Sequence, residues 1–154
     1  MVSAGNIIGV GRLHMRFESS VKAEASPEAI WEAVHDPEEW PLWVPSIKLV
    51  EKVSDGPLGV GSRLRIVVKT SIRVTLHMTI TEFVPQERVV MQGRVLGTRL
   101  TRFYALEPVG QETRVAAGGE ASGLLAWLVC WSGRRLSADI VRALKNRIEE
   151  VGAV

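Results

Sequence analysis

Arg102 and Tyr104 are the residues of this chain whose types and spacing best suit chemistry on a small molecule. They stand two positions apart in a segment that alternates like a strand, so both face inward if Leu106 does. A phenol and a guanidinium inside an apolar pocket could hold a carbonyl, a quinone oxygen, a carboxylate or a phosphate. A bulge in the strand would reverse the alternation and leave Arg102 in water, so both placements stay open.

Glu82 is the second candidate for chemistry, as a general acid or base. It shares the alternation of Met78 and Ile80, and a carboxylate that faces an apolar pocket can exchange protons with a bound molecule. The alternative is that Glu82 emerges into solvent at the end of its strand. Glu82 and Tyr104 are therefore the candidate catalytic residues, and whether the protein is an enzyme stays open, with binding favoured over catalysis.

Other motifs exclude several kinds of site. His14, His35 and His77 are scattered without the spacing of metal ligands, and no GxSxG motif of a hydrolase is present. Cys130 is the single cysteine, which excludes an intrachain disulfide and a cysteine-based metal cluster. We therefore expect no metal and no cofactor.

Composition predicts one domain. The chain has 154 residues, 46% of them hydrophobic, and its 19 basic and 17 acidic residues are interspersed, so we do not expect nucleic-acid binding. Neither a secretory signal nor an apolar run near the length of a bilayer-spanning helix is present. Together with the single cysteine, these features favour a cytoplasmic protein.

The pattern along the chain predicts a flexible lead-in over residues 1–12 and a single domain over 13–151. A strand over 14–25 precedes two short helices, whose starts are marked by Ser26-Pro27 and Asp36-Pro37. Alternating segments joined by short turns then predict an antiparallel sheet, with strands over 47–53, 62–70, 72–84, 88–96, 99–107 and 113–121. An amphipathic helix over 124–150 would lie against the concave face of that sheet.

The inward side chains of these elements are the expected walls of a cavity between sheet and helix. Arg102 and Tyr104 are the polar members, and Trp43 lines the mouth or is a plain core residue. The apolar members are Leu64, Ile66, Val68, Leu76, Met78, Ile80, Val129, Leu136 and Ile140.

Trp127 and Trp131 fall on the opposite side of the last helix, which also carries Arg134. A bend near Gly133, or a later start of the helix, would bury both rings. Otherwise the three residues form a surface for a membrane or a protein partner, since amphipathic tryptophan beside basic residues suits both.

Four segments of the chain resemble the SRPBCC superfamily, whose START-like domain has the helix-grip fold: DPEEWPLWVPSI (36–47), GPLGVGSRL (56–64), ITEFVPQERV (80–89) and FYALEPVGQETRV (103–115). The resemblance covers about residues 13 to 150. DPEEW and the stretch from Gly118 through SGLLAWL are similar to the G subunit of carbon monoxide dehydrogenase. WPLWVP and ITEFVPQERV are closer to the polyketide cyclase/dehydrase-like group, so the subgroup stays open.

The resemblance implies an α+β fold in which a curved antiparallel sheet wraps around a long C-terminal helix and leaves an apolar cavity. We expect the protein to bind a small hydrophobic or amphipathic ligand, such as a lipid, a quinone or a polyketide-like compound, for transfer or sequestration. Two alternatives remain. One is a cyclase or dehydratase, and the other is an accessory protein of a redox enzyme that docks at a membrane or a protein partner.

Overall fold

The computed structural model describes residues 13–70 and 72–152, so the expected lead-in over residues 1–12 lies outside the described residues. The described strands are β1 (Leu13–Ala23), β2 (Ile47–Lys52), β3 (Arg63–Lys69), β4 (Arg73–Val84), β5 (Arg88–Val95), β6 (Thr98–Val109) and β7 (Glu112–Gly123). The helices are α1 (Pro27–Val34), a 3₁₀ helix (Pro37–Leu42) and α2 (Ala126–Gly152).

The described strands form one antiparallel sheet in the order β1-β7-β6-β5-β4-β3-β2. The expected α+β helix-grip fold is confirmed, because this sheet curves around the C-terminal helix α2. Since each hairpin reverses the chain, the turns β3–β4 and β5–β6 and the connection β7–α2 all lie at one end of the sheet. The turns β2–β3, β4–β5 and β6–β7 lie at the other end.

The connection between β1 and β2 holds the two expected short helices, of which the first is an α-helix and the second a 3₁₀ helix. The Ser26 hydroxyl accepts a hydrogen bond from the Ala29 amide (3.2 Å) and begins α1. The Asp36 carboxylate accepts from the Glu38 amide (3.1 Å) in the same way. The second segment does not continue as an α-helix because Pro41 lacks the amide hydrogen that the next turn needs.

A β-bulge at Thr81 corrects the interpretation of Glu82. Ile80 pairs with Met91 but Glu82 pairs with Val90, so the register shifts by one residue and the alternation of β4 reverses. Glu82 consequently points into solvent, where its carboxylate lies 3.6 Å from the Arg88 guanidinium. The expectation that Glu82 faces the interior as an acid or base is wrong.

Helix α2 approaches the sheet most closely over β1 and β7. Gly133 makes this approach possible, because a Cβ at that position would lie 2.7 Å from Cζ of Phe17 on β1. The facing part of β7 carries only alanine and glycine from Ala116 to Gly119. The helix therefore lies close to one half of the sheet and leaves space over the other half, beneath β3 to β6.

Candidate functional site

A narrow apolar chamber occupies the space between α2, the 3₁₀ helix and the concave face of the sheet. The gaps between its atoms, including the open mouth, amount to about 770 Å³, of which about 60 Å³ admits the centre of a water molecule. Its walls are Val34, Trp40, Trp43, Val44, Ile47, Ile66, Val68, Leu76, Met91, Arg102, Phe103, Tyr104, Leu106, Val115, Ala117, Leu136, Ile140 and Leu144. We call this space the first chamber.

A second chamber lies toward the end of the sheet that carries the turns β3–β4 and β5–β6. It is as narrow as the first chamber, with about 60 Å³ open to the centre of a water molecule. Its walls include Ile72, Leu96, Leu128 and Val129. Four residues line both chambers and so separate them: Val68, Leu76, Arg102 and Leu136. Arg102 is the charged member of this partition.

Arg102 is buried, with 8% of its surface exposed. Strand β6 keeps its alternation here, so Leu100, Arg102 and Leu106 all face the interior. One guanidinium nitrogen donates a hydrogen bond to the Ser137 hydroxyl on α2 (2.8 Å), and the guanidinium lies over the Phe17 ring, 5.4 Å from its centroid. These contacts orient the side chain but supply no negative charge.

The charge of Arg102 is uncompensated within the described residues, where no carboxylate oxygen lies within 4.0 Å of its guanidinium. Burial lowers the pKa of Arg102 from 12.5 to about 10. The side chain is still protonated at neutral pH, because that pH lies well below 10. A cation without a counter-ion in an apolar wall creates a strong preference for an anionic or electron-rich oxygen.

Tyr104 also lines the first chamber, two positions along β6 from Arg102. Its ring packs edge-to-face against Trp40, with 5.7 Å between the centroids. Burial raises the pKa of the Tyr104 phenol above its ordinary value of 10. The phenol therefore stays neutral at physiological pH and can donate a hydrogen bond.

Trp43 forms the wall between the first chamber and a polar outer groove, since it lines both. The Arg147 guanidinium lies 5.8 Å from the centroid of its ring and donates a hydrogen bond to the Ala33 carbonyl (3.1 Å). The indole nitrogen of Trp43 is buried and has no hydrogen-bond partner. An unpaired buried donor is costly, so a ligand oxygen that accepted this hydrogen bond would be favoured.

The structure brings most of the predicted cavity residues together. The first chamber is lined by Trp43, Ile66, Val68, Leu76, Arg102, Tyr104, Leu136 and Ile140. Val129 lines the second chamber instead. Leu64, Met78 and Ile80 are buried in the core and line neither chamber, because the sheet curves and the inward faces of β3 and β4 pack against other core residues there.

The predicted cavity wall left out ten residues that line the first chamber: Val34, Trp40, Val44, Ile47, Met91, Phe103, Leu106, Val115, Ala117 and Leu144. The alternation of β5 and β7 indicated that Met91 and Val115 face one side of the sheet. The bulge in β4 and the small residues of β7 obscure which side of these strands faces the interior. No local signal separated Trp40 from a core tryptophan.

Trp127 and Trp131 are about half exposed, so the bend or late start that would bury both rings does not occur. Together with Met15, Leu128, Cys130 and Arg134 they line an apolar groove on the outside of α2. The buried Nε of Arg134 has no hydrogen-bond partner. None of the helices in the described part of the chain has the length and apolar character needed to cross a bilayer.

An antiparallel sheet that grips a long C-terminal helix around an apolar cavity defines the START-like class of protein. The chain belongs to the family described as polyketide cyclase / dehydrase and lipid transport, which it matches over residues 14–149. No curated protein sequence matches it.

Solved structures share this fold at low sequence identity. TTHA0849 from Thermus thermophilus is 18% identical, with a TM-score of 0.73 over 88% of this chain and 98% of that chain. The Zhui aromatase/cyclase from Streptomyces sp. R1128 is 13% identical, with a TM-score of 0.72 over 88% and 94%. A START superfamily protein from Mycobacterium smegmatis is 19% identical, with a TM-score of 0.71 over 88% and 98%. At these identities the similarity establishes the fold alone.

Proposed function

We propose that the protein binds a small, mostly apolar molecule that carries an anionic oxygen, and that it transfers or sequesters this molecule. The observation that carries the proposal is Arg102, a buried cation without a carboxylate partner in a wall that is otherwise almost entirely apolar. A fatty acid, an acidic lipid or a polyketide-like acid has the matching chemistry.

The two parts of such a ligand contribute differently to binding. The apolar part gains about 25 cal/mol for each Å² of surface removed from water. The anionic oxygen accepts hydrogen bonds from Arg102, and Tyr104 is a further donor residue in the same wall. Since the chamber is narrow, we expect flexible chains to enter more readily than rigid ring systems.

The first experiment is native mass spectrometry of the purified protein, followed by organic extraction of whatever it carries. A lipid or organic acid at near equimolar ratio supports the proposal and names the ligand class. The second experiment measures binding of saturated fatty acids of increasing chain length, each beside the alcohol of the same length. We expect affinity to rise with chain length and to be higher for the acid, whereas equal affinity across lengths would contradict the proposal.

A cyclase or dehydratase is the second candidate, favoured by the adjacent placement of Arg102 and Tyr104 in one chamber. The guanidinium would stabilise an enolate oxygen while the neutral phenol donates to a carbonyl. The described wall of the first chamber contains no Asp, Glu or His, so water would have to accept the proton removed from carbon. Loss of turnover of a linear poly-β-ketone thioester in Tyr104→Phe, with binding retained, would favour this function over transfer.

The accessory role beside a redox enzyme is the third function that the sequence suggests. It predicts a protein partner that is lost on Trp131→Ala, and co-purification of the full chain with and without this substitution tests it. The cytoplasmic location remains a prediction that rests on the single cysteine.

A further inference from the structure

Five of the nine large apolar side chains that are exposed in the described part of the chain, both exposed tryptophans among them, lie at the end of the sheet where the turns β3–β4 and β5–β6 meet the start of α2. The exposed fractions are 48% for Ile72, 56% for Leu96, 78% for Leu124, 54% for Trp127 and 50% for Trp131. We call these five residues the apolar rim. Ile72 and Leu96 line the second chamber, and Leu128 lines both that chamber and the groove beside the two tryptophans, so the rim borders this chamber.

Basic residues surround the apolar rim. Lys69 and Arg73 pair across the turn β3–β4, and Arg94 and Arg99 pair across the turn β5–β6. Among the described residues these four side chains have no carboxylate within 4.0 Å. Arg135 adds a further positive charge, 5.8 Å from the centroid of the Trp131 ring.

Acidic residues are nearly excluded from this end. The segments 56–81, 88–106 and 121–138 contain no aspartate or glutamate. Glu120 is the nearest acid along β7, and its carboxylate is already paired with His14 (2.9 Å) and Arg16 (3.2 Å). The turns at the opposite end carry Asp55 and Glu87. The molecule therefore has one positively charged apolar end.

Leu96, at the apex of the turn β5–β6, is an exposed apolar residue that the stability of the turn does not explain. Leu96 has a positive φ of 51°, followed by Gly97 at 73°, in a two-residue hairpin where asparagine is the usual first residue. Leucine is unfavourable in this left-handed conformation, and more than half of its surface faces solvent. Packing inside the fold therefore does not account for a large apolar side chain at the apex.

We propose that this end of the protein docks on the surface of an anionic phospholipid bilayer. Tryptophan and leucine would enter the interfacial region while Lys69, Arg73, Arg94 and Arg99 face the lipid phosphates. A second copy of the chain fits less well, because a symmetric contact would bring these positive charges face to face. Docking would place the mouth of the second chamber against the bilayer, so that an acyl chain could enter without crossing water. The entry of an acyl chain rests on the proposed function, whereas the docking does not.

The test is sedimentation of the full chain with phosphatidylcholine vesicles that contain or lack phosphatidylglycerol, at low and high salt. We expect binding to the anionic vesicles, weakened by salt. The double substitution Trp127→Ser/Trp131→Ser should reduce binding at least about tenfold, since it removes the interfacial aromatic rings. Arg94→Gln/Arg99→Gln should reduce it about 30-fold, from the attraction of each basic residue to an anionic surface.

Matched controls come from the opposite end of the sheet. Lys22→Gln/Arg63→Gln removes the same charge from two exposed positions, and Val60→Ser removes an apolar side chain that is 71% exposed. Both controls should bind vesicles like the unmodified chain. All variants should unfold near its melting temperature, because every substituted side chain is at least half exposed or on a solvent-facing strand position.

The proposal is overturned if the chain binds neither kind of vesicle, or if the control pair weakens binding as much as Arg94→Gln/Arg99→Gln. A dimer that Trp127→Ser/Trp131→Ser dissociates, without vesicle binding, would assign the rim to self-association and also overturn it. Fatty-acid binding measured without vesicles is independent of these results. Its loss would refute the proposed ligand site and leave docking intact.

Discussion

Replacing Arg102 by methionine should make the unliganded protein more stable while it weakens the binding of acids. Methionine has a similar length and no charge, so Arg102→Met removes a buried cation and largely keeps the apolar contacts of the side-chain stem. Most substitutions of buried charged residues are destabilising because they leave a counter-ion unpaired. No carboxylate near Arg102 would be left unpaired in this way among the described residues.

The size of the effect follows from the pKa of Arg102. Its fall from 12.5 to about 10 corresponds to about 3 kcal/mol of penalty on the charged form in the folded state. Because both values lie above neutral pH, the penalty is fully present at pH 7, and it is relieved only as the pH rises through about 10. Methionine loses the hydrogen bond to Ser137 and the contact with the Phe17 ring, each worth about 1 kcal/mol. The free energy of unfolding should therefore rise by about 1 kcal/mol, which is about 3 °C in Tm.

Urea and thermal unfolding of the ligand-free chain, followed by circular dichroism, measure this change. Arg63→Met is the matched control, because it makes the same replacement at an exposed position and should leave stability nearly unchanged. Arg102→Met should also bind dodecanoate about 10- to 100-fold more weakly while its affinity for dodecanol stays the same. A loss of more than about 1 kcal/mol of stability, or unchanged dodecanoate binding, would refute the reasoning.

Three further substitutions test other parts of the structure. Leu96→Asn should raise the free energy of unfolding by about 1 kcal/mol, since asparagine tolerates the positive φ at this position. A loss of stability in thermal unfolding would contradict this prediction. The same substitution should weaken vesicle binding. Gly133→Ala should lower the free energy of unfolding by about 1 kcal/mol, because the clash of the new Cβ with Phe17 outweighs the better helix propensity of alanine. A gain in stability in urea unfolding would show that α2 can move away from Phe17. Trp43→Ala should open the first chamber to the outer groove and speed dodecanoate release in stopped-flow experiments at least about tenfold, and an unchanged release rate would place the exit elsewhere.

Much of the fold could be predicted because each element carries its own local signal. The alternation of β3 and β4, the Ser26 cap and the amphipathic stripe of α2 identify strands and helices without reference to their partners. The presence of Arg102 in the interior followed from the alternation of β6, which has no bulge. These features depend on spacing along a single segment.

The features that could not be predicted depend on contacts between segments. Thr81 becomes a bulge because of how β4 pairs with β5, and that single residue moves Glu82 from the interior to solvent. Likewise, the position of the cavity depends on how closely Gly133 approaches Phe17 across the sheet. Sequence periodicity contains neither piece of information, since both are set by residues far apart in the chain.

The two charged features of the molecule lie at different depths, and under the proposed function and the proposed docking they would set an order for ligand selection. Lys and Arg around the apolar rim attract any anionic surface, but this attraction is screened by salt and does not distinguish one acidic lipid from another. Arg102 is buried at the boundary of the two chambers, behind the rim, where a charge interaction is stronger than at the surface. A neutral lipid that entered the second chamber would leave the penalty on Arg102 in place, whereas an acid that reached the boundary would relieve it. Full relief of that penalty of about 3 kcal/mol would correspond to about 150-fold discrimination between an acid and its alcohol.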